Sequence, residues 1–160
     1  MPSQGYDEHM TSKIRGGAPC SIARTVDVLR DPWAFVILRE AGAGVTRFAD
    51  FRDALGIASD VLTERLTTMV DAGILTREQY QEPGARARYS YHLTSAGAEL
   101  QVVLGALQQW GDEHLPWQDG PTVLRTSRAG RRLHVAFVDD RGREVPITDV
   151  RWERTAAYPA

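Results

Sequence analysis

Residues 47–93 read RFADFRDALGIASDVLTERLTTMVDAGILTREQYQEPGARARYSYHL. Phe48, Phe51 and Leu55 fall on one stripe of a helix that Thr46 is placed to cap and Gly56 to stop. After Ile57 and Ala58, Ser59 opens a second helix. Its Leu62, Leu66, Met69 and Val70 share one side, and Asp60, Thr63, Glu64, Thr67 and Thr68 share the other, until Gly73 ends it. Two short helices joined by a tight glycine-bearing turn predict a helix-turn-helix. Ile74 to Tyr80 favour a strand, and Pro83 and Gly84 supply a turn. Tyr89, Tyr91 and Leu93 then alternate with Arg88, Ser90 and His92, so a two-stranded hairpin follows the second helix directly.

Upstream, Ser21 can cap a short helix whose apolar positions Ile22, Val26 and Leu29 recur at helical intervals. Asp31 and Pro32 open another, because Asp accepts backbone NH groups and Pro at the first helical position sacrifices no hydrogen bond. That helix carries Trp33, Val36, Ile37, Leu38 and Ala41 around most of its circumference and belongs in the middle of a core. Downstream, Thr94 caps a long helix with Leu100, Val103, Leu104, Leu107 and Trp110 along one edge, ended by Pro116. With nothing in the sequence to cover it, this edge is expected to meet a partner chain.

The remainder extends this plan. Residues 1–19 have no apolar period and are expected to form a flexible arm. Residues 20–116 form the expected winged helix-turn-helix domain. Residues 117–160 form an extension in which Asp139 to Gly142 look like the turn of a short hairpin, after an arginine cluster of Arg125, Arg128, Arg131 and Arg132. The fold class is therefore α+β, mainly helical with a small β component. A length of 160 residues excludes a large multidomain enzyme, and 42% hydrophobic with 25% charged residues is an ordinary globular mixture. Cys20, the one cysteine, permits no internal disulfide, and no apolar run is long enough to span a bilayer. The expectation is a cytoplasmic protein with no membrane association.

A helix-turn-helix with a wing has a direct physical use. The outer face of its second helix enters the major groove, about 12 Å wide, and the wing reaches over the backbone. Ser59, Asp60, Thr63, Glu64, Arg65 and Thr67 are the candidate groove residues; Thr offers both a hydroxyl and a methyl to base edges, and Glu can accept from cytosine. Arg86 and Arg88 at the wing and Arg47 and Arg52 on the preceding helix are candidate phosphate contacts. Charge argues partly the other way. Residues 20–115 hold 9 Arg, no Lys and 13 Asp plus Glu, a net −4 within a chain of net −2. That balance leaves open a winged-helix module that binds a protein or small ligand without DNA.

From Cys20 to Trp110 the chain resembles the HxlR-type winged-helix regulators, relatives of the MarR group. The residues that carry the likeness are Cys20, Arg24 and Asp27; Trp33 with Ile37, Leu38, Arg39 and Glu40; Arg47, Phe48, Phe51, Leu55 and Gly56; Ser59, Leu62, Arg65 and Leu66; and Ala72, Gly73, Ile74, Tyr89, Leu93, Thr94 and Gly97. The resemblance implies a homodimeric bacterial transcription factor, more often a repressor, that binds double-stranded operator DNA. It also implies that the helix from Ser59 is the recognition helix, the hairpin with Arg86 and Arg88 the wing, and the terminal helices the dimer contact. Pro32 stands where the family commonly has Lys, and Asp60 where a basic or neutral residue is usual.

Cys20 occupies the position of a family cysteine that in some members senses oxidants or electrophiles; read from the residue alone, a small buried group packing the first helix is the favoured role. Trp33, Phe35, Trp110 and Trp117 are candidates to line a pocket for a small apolar effector. His9, His92, His114 and His134 show no metal-ligand spacing, and neither a phosphate-binding glycine loop nor a nucleophile elbow is present. No enzyme activity and no cofactor are expected.

Overall fold

Asp31 and Pro32 set the first fixed point of the core. In the computed structural model, which describes residues 20–157, helix α1 (Ser21–Leu29) runs into Arg30 at φ 39°, and helix α2 (Pro32–Gly42) restarts after Asp31. The arm expected over residues 1–19 lies outside the described residues. The Asp31 carboxylate accepts from Trp33 N at 2.8 Å, the N-cap the sequence predicts, and its other oxygen lies against Arg65 Nε. One side chain thus caps α2 and ties it to the second helix of the helix-turn-helix. Asp31→Ala is expected to remove the cap and leave the half-buried Arg65 without its main counter-charge. The expected loss is about 2 kcal/mol, or a Tm lower by roughly 4 to 8 °C in a thermal melt followed by circular dichroism.

Ala34, Ile37 and Leu38 of α2 are buried at the centre of the core, where they meet Phe51 of α3 (Phe48–Leu55) and Leu62, Leu66 and Met69 of α4 (Ser59–Asp71). Burying each such side chain contributes about 1.5 to 3 kcal/mol. Gly56, at φ +61°, takes the left-handed conformation that ends α3 and starts the tight turn into α4. The helix-turn-helix is therefore present as read. The start of α3 is not: it begins at Phe48, with Arg47 rather than Thr46 as the capping position. Thr46 and Arg47 are drawn into the sheet, where Thr46 O accepts from Tyr91 N at 2.8 Å and Arg47 bridges Ser90.

The wing consists of β1 (Leu75–Tyr80) and β2 (Arg88–Leu93), antiparallel, with Leu75 opposite Leu93 and Tyr80 opposite Arg88. Leu75 and Tyr91 bury the root of the hairpin against the core while its far end is exposed. Thr94 then caps α5 (Ser95–His114) as expected, accepting from Gly97 N at 3.0 Å and donating to Gly73 O at 2.7 Å. Gly97 is buried so tightly that a Cβ there would lie 2.1 Å from Ile74 O. The start of α5 is thus locked to the end of α4 and the root of the wing.

The two apolar stripes read for α1 and α5 divide on inspection. Leu29, Leu100 and Leu104 pack on the core. Ile22 (62% exposed), Val26 (54%), Val103 (40%), Leu107 (51%) and Trp110 (57%) face outward. Ser21 is the first residue of α1 rather than its cap, and Cys20 at the capping position makes no side-chain hydrogen bond.

The stretch from Val123 to Val135 is tied to the C-terminal half of α5. The Gln109 amide brackets Val135, donating to its O at 3.0 Å and accepting from its N at 2.8 Å, and Gln108 donates to Val123 O at 2.6 Å. Val135 packs over Gly105, and Arg125 pairs with Asp112 at 3.7 Å. The expected hairpin is present but short: β3 (Phe137–Val138) and β4 (Glu144–Val145) flank a turn in which Gly142 has φ +74°. Backbone and side-chain donors of Arg143 hold the Asp139 carboxyl below the usual carboxylate range, with Arg141 N adding a further bond. Pro146 and a single 3₁₀ turn (Ile147–Asp149) follow β4 and end the hairpin. Phe137, Ile147 and Trp152 stay exposed.

Candidate nucleic-acid interface

The inward set of α4 is held by the core, so its opposite side is fixed as a polar surface: Ser59, Asp60, Thr63, Glu64 and Thr67 are all exposed. Each threonine spends its hydroxyl proton on the helix. Thr63 Oγ1 donates to Ser59 O at 2.7 Å and Thr67 Oγ1 to Thr63 O at 2.8 Å. What remains outward is a lone pair and a methyl, which suits the amine of adenine or cytosine and the methyl of thymine. Asp60 Oδ1 accepts from Val61 N at 2.9 Å, so its charge sits over the positive end of its own helix.

Arg65, read among the groove residues, is placed differently from its neighbours. Its side chain is only 20% exposed and sits between Asp31 and Glu64, the latter pair at 3.1 Å. Helical geometry explains this, since Arg65 lies between the outward Glu64 and the inward Leu66, on the flank that meets the start of α2.

The wing and α3 carry a separate set of exposed cations. Arg86 in the connecting loop and Arg88 at the start of β2 are exposed, and among the described residues neither has an ion-pair partner. Arg47 pairs with Glu82 at 2.9 Å and lies over the Tyr80 ring at 4.9 Å. Arg52 pairs with Asp53 at 2.8 Å. Arg52 and Arg88 line one cleft of about 490 Å³ between α3 and the wing, together with Phe48, Tyr80, Tyr89 and Tyr91. Burial pushes the Tyr91 hydroxyl above its ordinary value, partly offset by Arg77. Tyr80, Tyr89, Glu82 and Asp53 are not among the site residues read from the sequence. The signal was the pairing of the hairpin, which sets Tyr80 beside Arg88.

Cys20 is exposed, which removes the reading of it as a packing residue of α1. Trp33 and Phe35 are half-buried against the core, whereas Trp110 and Trp117 are exposed; Trp110 stacks on His114 with ring centres 5.0 Å apart. None of the four lines the cleft beside the wing or the shallow groove between α1 and α5. Among the described residues no cluster of three or more His, Cys, Asp or Glu could hold a metal ion, and no helix is long and apolar enough to cross a membrane.

Comparison with known proteins agrees with this geometry. The chain is 38% identical over 142 residues to the uncharacterized HTH-type transcriptional regulator Rv3095 of Mycobacterium tuberculosis, covering 88% of this chain and 89% of that protein. It is also 38% identical over 111 residues to sll1512 of Synechocystis, another uncharacterized HTH-type transcriptional regulator, covering 69% of this chain and 81% of the relative. Among solved structures it is similar to the proposed transcription factor PA1607 (TM-score 0.75, 29% identity, 90% of this chain and 99% of that one). It is also similar to the redox regulator HypR in its reduced form (TM-score 0.55, 26% identity, 60% and 94%). Such relatives and this fold are those of transcription regulators that bind DNA, and the model of the HxlR-like helix-turn-helix matches residues 28–119. With α4, the wing and α5 all inside that match, the chain belongs to the HxlR-like helix-turn-helix family.

Proposed function

We propose that the protein is a homodimeric repressor that lays two copies of α4 into successive major grooves about 34 Å apart. The observation that carries this reading is the exposed polar face of α4 together with Arg86 and Arg88 on the wing, two cations for which the described residues supply no counter-charge. Ser59, Asp60, Thr63, Glu64 and Thr67 read bases, while Arg47, Arg52, Arg86 and Arg88 hold phosphates. Arg65 acts behind them by fixing α4 to α2. Residues 20–116 are the DNA-binding unit and residues 117–160 an extension of it. The exposed Val103, Leu107 and Trp110 of α5 and Ile22 and Val26 of α1 form the apolar surface on which the second copy packs.

A signal reaches this unit either as a small apolar molecule at the aromatic residues around α2 and α5, or as oxidation of the exposed Cys20. With a single cysteine, oxidation yields a sulfenic acid, a mixed disulfide or a bridge between subunits. A reducing, cytoplasmic setting suits this chemistry.

Selection of bound fragments from random DNA by the purified protein tests the reading, with sedimentation velocity run on the complex. A pseudo-palindromic site bound by two chains is expected; a monomer, or no enrichment of any sequence, rejects it. Thr63→Ala and Thr67→Ala are expected to reorder the preferred sequences, changing discrimination at single positions by roughly 1 kcal/mol or more. Overall affinity for random duplex is expected to stay within about twofold of wild type, because neither residue carries charge. Repeating the selection after oxidant treatment, beside a Cys20→Ser variant, tests the thiol.

A further inference from the structure

The cations around the interface fall into two groups. Among the described residues Arg86 and Arg88 have no ion-pair partner, while Arg47 is held by Glu82 at 2.9 Å and Arg52 by Asp53 at 2.8 Å. Both acids belong to the binding side itself: Glu82 lies in the loop of the wing and Asp53 on α3, next to the arginine it engages. Arg52 and Arg88 share the cleft beside α3, and Arg47 covers the Tyr80 ring at its wall. The cleft therefore gathers guanidinium groups and tyrosine rings, the groups that suit a sugar-phosphate unit.

We infer that this cleft seats one phosphate of the DNA backbone, and that Asp53 on Arg52 within it and Glu82 on Arg47 beside it act as internal stand-ins for phosphate while no DNA is bound. The inference rests on the DNA-binding reading above and adds to it a reason for the acidic balance of residues 20–115. A carboxylate and a phosphate offer a guanidinium the same pair of acceptor oxygens, so one displaces the other without moving the arginine far. Both pairs are exposed, with side-chain accessibilities of 51% and 52% for Arg47 and Glu82 and 47% and 67% for Arg52 and Asp53. Such pairs are weak and exchange readily. The consequence is a throttle on binding: an arginine already neutralised by its own acid releases fewer counterions when it meets DNA, and the displaced acid faces the phosphates.

The test uses the full chain and three single substitutions, Glu82→Gln, Asp53→Asn and Glu113→Gln, the last removing an equal charge from the exposed C-terminal part of α5. Dissociation constants are measured by fluorescence anisotropy on a random-sequence duplex and on a selected site, between 50 and 200 mM salt, after circular dichroism has shown the wild-type fold. Glu82→Gln and Asp53→Asn are each expected to tighten both duplexes about two- to fivefold at the lower salt. They should also steepen the salt slope by up to about 1.8, one arginine in each of two subunits, with Glu113→Gln close to wild type. Either variant decides for its own pair if the other fails to fold. Unchanged or weaker binding by folded variants overturns the inference while leaving the DNA-binding reading intact. Equal tightening by Glu113→Gln overturns it as well, since the effect would then be one of net charge alone. Failure of the wild type and every variant to bind any duplex removes both.

Discussion

Gly97→Ala is expected to be the most damaging single substitution in the chain. The added methyl carbon would sit 2.1 Å from Ile74 O, with Ile74 C and Leu93 Cδ2 both at 3.1 Å. Backbone cannot swing aside as a long side chain can. Relief therefore requires α5 to lift from the wing root, and with it the bonds from Thr94 to Gly73 and Gly97. The expected loss is about 3 kcal/mol or more, a fall in Tm of roughly 6 to 12 °C. Gly111→Ala in the same helix is the control. Nothing lies within 4 Å of its would-be Cβ, so it gains helix propensity, and a Tm equal to or slightly above wild type is expected. Parallel thermal melts of the two variants check the pair, and equal destabilisation by both would refute the close approach at Gly97.

The second large effect concerns the wing. Replacing Arg86 and Arg88 with Ala removes two cations that have no ion-pair partner among the described residues, four from the proposed dimer. The slope of log affinity against log salt is expected to flatten by about 3.6. Between 50 and 200 mM salt the wild type should then lose on the order of 100-fold more affinity than the variant. The loss should be alike for the selected site and for random duplex, because phosphate contacts position the protein without reading sequence. An anisotropy titration in which the slope stays at the wild-type value would place the wing away from the backbone.

The helix-turn-helix and the wing were legible because their signals are local. Leu62, Leu66 and Met69 recur at helical spacing, Gly56 supplies the left-handed turn, and Tyr89, Tyr91 and Leu93 alternate. The Asp31 cap was readable for the same reason, since its donor lies two residues away. What was not legible depends on partners distant in sequence. Thr46 left its expected capping role because Tyr91 N, forty-five residues on, claims its carbonyl. Arg65 looked like a groove residue until α2 brought Asp31 against it. The apolar stripe of α1 gave no hint that only Leu29 would be buried, because the period marks a face without naming what covers it. At the interface the arginines could be read from the sequence but their pairing with Glu82 and Asp53 could not. For Asp53 the acid is the next residue and its rotamer decides; for Glu82 the loop must fold back over α3.

The bond from Tyr91 N to Thr46 O, with the bridge between Arg47 and Ser90, stitches the hairpin to the chain entering α3. The arm and the entry to α3 consequently travel together as a single jaw. In the dimer proposed above, a stimulus does not loosen the grip by bending the arm on its own; it has to change the distance or tilt between the two jaws, which puts the lever for control where the two copies would meet.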